Sequence, residues 1–355
     1  MQRILILVGC VALLATPVRA METVAARTQA ALWSYGDTSG AWSGADGTYS
    51  VPLPDGRVAW IFSDTFFGPV DADARTRSSS SSRLIRNSIA VQGPDGTFSE
   101  TIAGIDGFGR PASAVATENE ALSWYWMGDG TVEGDKLRLF VLRFGSVPPP
   151  FQQYGDDIAT FSLPDLTFEG ITRLPLGMTP AIGATLVGWG AAVLESQEYT
   201  YVYGLEDLHA EKYLHLARAH AGELLGAWEY WDGAAWTPNP LLSARLLDGI
   251  SNEFSVQATP GGYTLVAQDH GIQPDVIACR APAPQGPWDG CRTVYTTPET
   301  GGAIVTYNAK AHAHLSGDGH LTISYNVNTS SFQQHYADID IYRPRFVEVP
   351  IPDGF

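Results

Sequence analysis

Lysine, cysteine and helical periodicity are all scarce in this sequence, and each shortage closes off a class of protein. Lys136, Lys212 and Lys310 are the only lysines in 355 residues, and 38 acidic against 21 basic side chains give a formal charge of −17. Such a surface repels nucleic-acid phosphates and anionic lipids, and it suits a neutral or cationic ligand or plain solubility. Beyond the first twenty residues no stretch reaches the ~18 apolar residues of a membrane helix. Gly-rich phosphate loops, calcium loops and a Gly-x-Ser-x-Gly elbow are missing, so no motif calls for a nucleotide, a redox cofactor or a serine nucleophile.

Cysteine occurs only at Cys10, Cys279 and Cys291. Residues 1–20 read as a secretory signal peptide: Arg3 supplies the positive start, Ile4 to Ala15 the apolar stretch, and Val18-Arg19-Ala20 a small-x-small cleavage site. Leu7-Val8-Gly9-Cys10 offers a lipid-attachment box as the rival, but only six apolar residues precede Cys10. Cleavage removes Arg3 and Arg19, leaving 19 basic residues against 38 acidic ones and a charge of −19. The expectation is a secreted, extracellular monomer, or a periplasmic one in a Gram-negative cell, with no membrane after cleavage. In an oxidising compartment Cys279 and Cys291 should pair and close a short loop worth roughly 3 kcal/mol. No second Cys pair or close His pair accompanies them, which argues against zinc.

What the chain has is glycine and proline, 37 and 23, and short alternating strands punctuated by turns. Helix is expected only over Glu22 to Ala31 and around Ser243 to Leu247. Five hairpins of comparable weight recur: Asp46 to Asp64, Glu120 to Phe144, Trp189 to Leu205, Glu253 to Asp269, and Asn308 to Asn328. Secondary strand pairs lie between them. Two hairpins every ~60 residues fit a radial array of four-stranded blades. The fold expected is all-β, a five-bladed β-propeller forming one catalytic domain over 21–355, with the strand after Ile339 closing the ring.

The first hairpin carries the leading site. Its turn, Pro54-Asp55-Gly56-Arg57, lies midway between Asp46 and Asp64, so folding the hairpin sets the two carboxylates opposite each other. Opposed strand residues have Cβ atoms ~4.5–5.5 Å apart. Carboxylates that close repel unless a proton, cation or substrate intervenes; the plainer alternative is turn aspartates capping loop amides. If each hairpin begins on the innermost strand of a blade, Asp46, Glu120 (with Glu118), Trp189, Glu253 and Asn308 converge on one channel mouth, with Asp64, Asp269 and Asn328 at the paired ends. Carboxylates gathered there suit acid chemistry on sugars. Asp46, Asp64 and Glu253 are the catalytic candidates; Trp42, Asn87, Glu120, Trp126, Asp269, Asn308 and His312 are candidates for holding substrate. Aromatic rings at Trp33, Tyr35, Trp42, Trp124 and Trp126 could stack on sugar faces or pack between blades. His312 and His314 alternate and share a face, fit for a sugar hydroxyl, a metal, or a satisfied channel position. No metal or cofactor is required, which leaves room for a structural calcium. If Asp46 and Asp64 both act on the substrate, their closeness suits the ~5–5.5 Å separation of a retaining glycosidase rather than the ~6.5–9.5 Å of an inverting one.

The segments GADGTYSVPLPDGRVAWIFSDTFFG, RNSIAVQ, WYWMGDGTVEGDKLRLFVLRF, YVYGLEDL, WEYWDGAAW, SNEFSVQ and YNAKAHAHLS together resemble secreted propellers of actinobacterial type, first described as a domain of unknown function and later assigned as endo-D-arabinanases. The resemblance spans most of the chain and is densest in the first hairpin. It implies internal hydrolysis of α-D-arabinofuranosyl linkages, as in arabinogalactan and lipoarabinomannan, with catalysis at the aspartates matching Asp46 and Asp64. The better-known L-arabinan and arabinoxylan hydrolases, and a non-catalytic carbohydrate-binding propeller, remain the alternatives.

Overall fold

The computed structural model describes residues 22–146, 152–174, 187–317 and 319–355. The expected leader, 1–20, lies outside them. Five larger antiparallel sheets follow one another along the chain. The first holds Tyr49–Pro52, Val58–Phe62, Ser88–Gln92 and Phe98–Ile102. The second holds Ser123–Glu133, Lys136–Gly145, Gln152–Ser162 and Thr167–Arg173. The third runs from Val187–Glu195 through Tyr199–Asp207 and Lys212–His220 to two short strands. The fourth holds Phe254–Thr259, Gly262–Gln268, Asp275–Ala281 and Asp289–Thr296. Ile304–Ala311, His320–Thr329 and Arg345–Pro350 make the fifth.

Apolar residues alternate along these strands, and what they bury against is the neighbouring sheet. Tyr49, Ile61 and Ile89 of the first sheet pack with Met127, Leu139 and Phe161 of the second. Phe140 and Ile158 then meet Trp189 and Val202; Tyr203 and Leu216 meet Phe254 and Leu265; Val266 and Ala278 meet Ala309 and Ile323. The first and fifth sheets close the ring through an apolar cluster, Trp60 and Ala90 with Phe346, and through polar bonds. Lys310 donates to the carbonyl of Gly47, Asn326 donates to Thr48 at 3.0 Å, and Ser50 lies 2.6 Å from His312 Nδ1.

Two helical expectations change. The N-terminal helix is Val24–Thr38, capped by Thr23, whose hydroxyl accepts from Ala26 N at 3.1 Å. It outruns Ala31 because Leu32 and Gly36 face inward, and a Cβ on Gly36 would come within 2.9 Å of both Trp42 and Arg343. Around 243–247 there is no helix; a single 3-10 turn stands earlier, at Pro240–Leu242, where the Asn239 side chain accepts from Leu241 N and the proline sets the first turn. The last strand also differs: it begins at Arg345 and pairs with His320–Thr329 inside the fifth sheet, while the helix Val24–Thr38 covers it. Cys279 and Cys291 form a disulfide between the third and fourth strands of the fourth sheet. Among the described residues no helix is long and apolar enough to cross a membrane.

Candidate active site

The first hairpin keeps its register through a break. Tyr49 pairs with Ile61 on one side of the break and Ala45 with Thr65 on the other, which sets residue 46 against residue 64. Asp46 N–H donates to the Asp64 carbonyl at 3.2 Å, and Ser63 N–H to the Asp46 carbonyl at 2.9 Å. Between the two ladders Gly47 (φ 85°) and Thr48 (φ 61°) are left-handed. A Cβ on Gly47 would stand 3.0 Å from Ser63 N, so glycine serves both the turn and the close approach.

The two aspartate side chains have different surroundings. Asp46 Oδ2 accepts from the phenols of Tyr307 and Tyr342, each at 2.7 Å. Its Oδ1 is buried and has no hydrogen-bond partner among the described residues. Burial, then the negative charges of Asp64 and Glu253, raise the Asp46 carboxyl to about 8 against the pull of the two phenols. Asp64 is turned to Arg86, 3.2 and 3.3 Å from its two oxygens, and to Trp126 Nε1, which donates to Oδ1 at 3.0 Å. Burial raises its pKa too, with Arg86 opposing.

A third carboxylate comes from the bend just before the fourth sheet. Glu253 Oε2 lies 2.6 Å from Lys310 Nζ, and Asn308 Nδ2 donates to Oε1 at 2.8 Å. Lys310 is 2% exposed and also donates to the carbonyls of Gly47 and Asn308, with its ammonium 4.2 Å from the centre of the Tyr49 ring. Asn308 is left-handed (φ 60°) in the irregularity between Tyr307 and Lys310; that kink sends neighbouring side chains of one strand to Asp46 and to Glu253. Asp46 and Glu253 line one cavity of about 300 Å³, to which the second, third and fifth sheets contribute strand residues, among them Trp126, Phe144, Asp207 and Tyr307, and the first and fourth only residues that flank their strands. That volume sits at the small end of ligand sites.

Residues 30–351 match the family described as a domain of unknown function (DUF5005). The chain belongs to this family. Among solved structures it is similar to a putative hydrolase from Bacteroides ovatus, at 23% identity and a TM-score of 0.74, over 94% of this chain and 93% of that one. An exo-β-1,3-galactanase from Clostridium thermocellum aligns at 12% identity and a TM-score of 0.52, over 88% of this chain and 60% of that one. A GH32 β-fructofuranosidase from Bombyx mori aligns at 12% and 0.52, over 88% and 61%. These likenesses identify the fold, an all-β propeller of the kind glycoside hydrolases use. No curated protein matches the chain.

In this DUF5005 chain the cavity gathers Asp46, Glu253, Trp126 and Asn308 from the sequence candidates, with Asp64 behind Trp126. The others stand elsewhere. Trp42, expected at the mouth, is fully buried against Phe62 and the N-terminal helix. Asn87, expected to hold substrate, spends its amide on the backbone, donating to Val115 and Tyr125 carbonyls and accepting from Val115 N. Asp269 lies 2.6 Å from His270 Nδ1 and leaves the cavity to Gly271 and Ile272. Glu120 sits in the turn before the second sheet, off the cavity lining. His312 is 3% exposed and lines a second cavity instead, its ring nitrogens 2.6 Å from Ser50 Oγ and 2.8 Å from Ser324 Oγ. Tyr307, Tyr342, Lys310 and Arg86 were not foreseen; of these only Lys310, a rare lysine in an alternating strand, stands out in the sequence. Among the described residues no group of three or more His, Cys, Asp or Glu side chains could hold a metal.

Proposed function

We propose that this protein is a secreted glycoside hydrolase, its five larger sheets acting as five blades, that cleaves a furanose polysaccharide internally, with D-arabinan the first candidate. The observation that carries the reading is the Asp46 carboxyl: it lines the cavity, Oδ2 is held by two phenols, and Oδ1 is free of any partner among the described residues. A carboxyl that keeps its proton to about pH 8 can donate it to a departing glycosidic oxygen. Glu253, held against Lys310, is the second carboxylate: it either bonds to the anomeric carbon as the glycosidic bond breaks or takes the proton of a water that attacks there. Asp64 tunes rather than reacts: its charge raises Asp46, while Arg86 and Trp126 occupy its oxygens. Trp126 and Phe144 offer apolar faces to the sugar. The expectation of net retention required both hairpin aspartates to reach the substrate, and this arrangement of Asp64 removes that premise.

Support for sugar hydrolysis comes from the neighbours, a galactanase and a fructofuranosidase on the same fold. D-Arabinan and internal cleavage rest on the sequence motifs, and export on the disulfide, which belongs to oxidising compartments. Incubating the purified protein with D-arabinan, L-arabinan and arabinoxylan and separating the products by chromatography tests the reading. A ladder of oligosaccharides from D-arabinan alone is expected. Monosaccharide alone would refute internal cleavage, a ladder from another polymer would replace the substrate, and binding without products would refute the enzyme.

A further inference from the structure

Asp46 is oriented from well outside its own hairpin. The phenols of Tyr307 and Tyr342 that bind Oδ2 are pushed well above the ordinary tyrosine range by burial and by Asp46 itself, so they stay protonated. The Tyr307 oxygen in turn accepts a hydrogen bond from Asn328 Nδ2 at 3.1 Å. That amide has one allowed orientation. Its Oδ1 accepts from Thr329 N at 2.7 Å and lies 2.8 Å from His335 Nε2, and an amide oxygen only accepts, so Nδ2 is left to donate to Tyr307. His335 is buried in the short helix Gln334–Ala337. His335 Nδ1 also lies 3.1 Å from the Phe332 carbonyl, and a neutral ring has one N–H to divide between two acceptors, so it is Thr329 N–H that fixes the amide. The donors therefore run one way, from Asn328 through Tyr307 to Asp46.

We propose that Asn328, oriented by Thr329 N–H, is a positioning residue for Asp46: it fixes the direction of the Tyr307 hydroxyl, so that Oδ2 is a permanent acceptor and the exchangeable proton is confined to Oδ1. The inference rests on Asp46 as the reacting carboxyl, and it explains how a group with two oxygens presents one proton in one place. Were the Tyr307 hydroxyl free to rotate, Oδ2 could carry the proton too, and part of the protonated population would be aimed away from the cavity.

The test is a carbon-13 NMR titration of the Asp46 carboxyl in the full-length protein, which needs no turnover. Asp64, Glu253, Lys310, Tyr307 and Tyr342 are the titratable groups acting on Asp46, and Asn328→Leu alters none of them and adds no charge. The leucine removes the amide donor from the Tyr307 oxygen, so the hydroxyl can rotate and Asp46 loses a fixed donor. Losing a donor raises a carboxyl, so Tyr307→Phe should move the midpoint up by about one pH unit and Asn328→Leu by part of that. Asn328→Leu added to Tyr307→Phe should then add little, because the hydroxyl that transmits the change is gone. Asn328→Ala repeats the test if Asn328→Leu does not fold. An unmoved midpoint in folded variants, or shifts that add in full, would overturn the proposal. A protein that cleaves no polysaccharide would instead sink the proposed function while leaving this titration decisive.

Discussion

Asp46, in the break of the first hairpin, and Asp129, on the first strand of the second sheet, are two half-buried carboxyls, and desolvation raises both, to about 8 and about 7. Their pKa values do not tell them apart; their oxygens do. Asp129 accepts from Gly130 N at Oδ1 and from Val193 N at Oδ2, each at 2.8 Å, so it straps the second sheet to the third and has nothing left to offer. Asp46 lines a cavity, with one oxygen held by two phenols and the other without a hydrogen-bond partner among the described residues. A perturbed carboxyl marks a reactive one only where an oxygen has been left unsatisfied.

The sharpest way to break this contrast is to neutralise each group. Asp46→Asn should lower turnover of the polysaccharide by roughly 10²–10⁴, the range of a lost general acid, with the fold intact by circular dichroism. Loss should be far smaller on an aryl glycoside whose leaving group needs no proton, whereas Glu253→Gln should be as damaging there. Equal losses for Asp46→Asn on both substrates would remove it from the acid role.

Reducing Cys279–Cys291 acts on neither carboxyl and should cost roughly 3 kcal/mol of stability in the chain-entropy model. Differential scanning calorimetry with and without reductant would show it, and turnover at moderate temperature should persist. Asp129→Asn should cost about 1–3 kcal/mol, because one of two backbone N–H groups then faces an amide N–H instead of an acceptor. Urea unfolding measures the loss. Near-wild-type turnover in the folded variant is expected, and a collapse of kcat without a stability change would erase the distinction between the two aspartates.

The smallest effect concerns stability against pH. Asp46 has a folded pKa of about 8, well above the ~3.9 of an unfolded aspartate. The folded state therefore holds the proton more tightly, and stability falls as pH rises from about 4 through about 8. Asp46→Asn has no proton to lose. Its melting temperature should exceed that of the wild type at about pH 8 and above and approach it near pH 4.

The same contrast explains what could be read in the sequence. The hairpin was legible because its causes are local: Gly56 (φ 86°) makes the turn, Leu53 N bonds Arg57 O at 2.8 Å, and the register then carries Asp46 to Asp64. Glu253 was legible as an acidic residue opening a strand. Tyr342 was not, since it reaches Asp46 from 296 residues away, in a left-handed turn that no periodicity announces. Arg86 stands beside Asn87 in one segment, yet only packing decides that the arginine takes the carboxylate and the asparagine the backbone. Trp42 reads like a sugar platform until the helix Val24–Thr38 is laid over it. The alternation of His312 and His314 gives a shared face, but it does not say that this face lines a second cavity rather than the one with Asp46.

The pH dependence of kcat/KM for the wild type, on the best substrate found, tests the central claim most directly. If Asp46 delivers its proton from Oδ1, activity must fall about tenfold per unit above about pH 8. Activity that stays level or climbs through that range would show that Asp46 works as a carboxylate, and the assignment of acid and base across the cavity would be reversed.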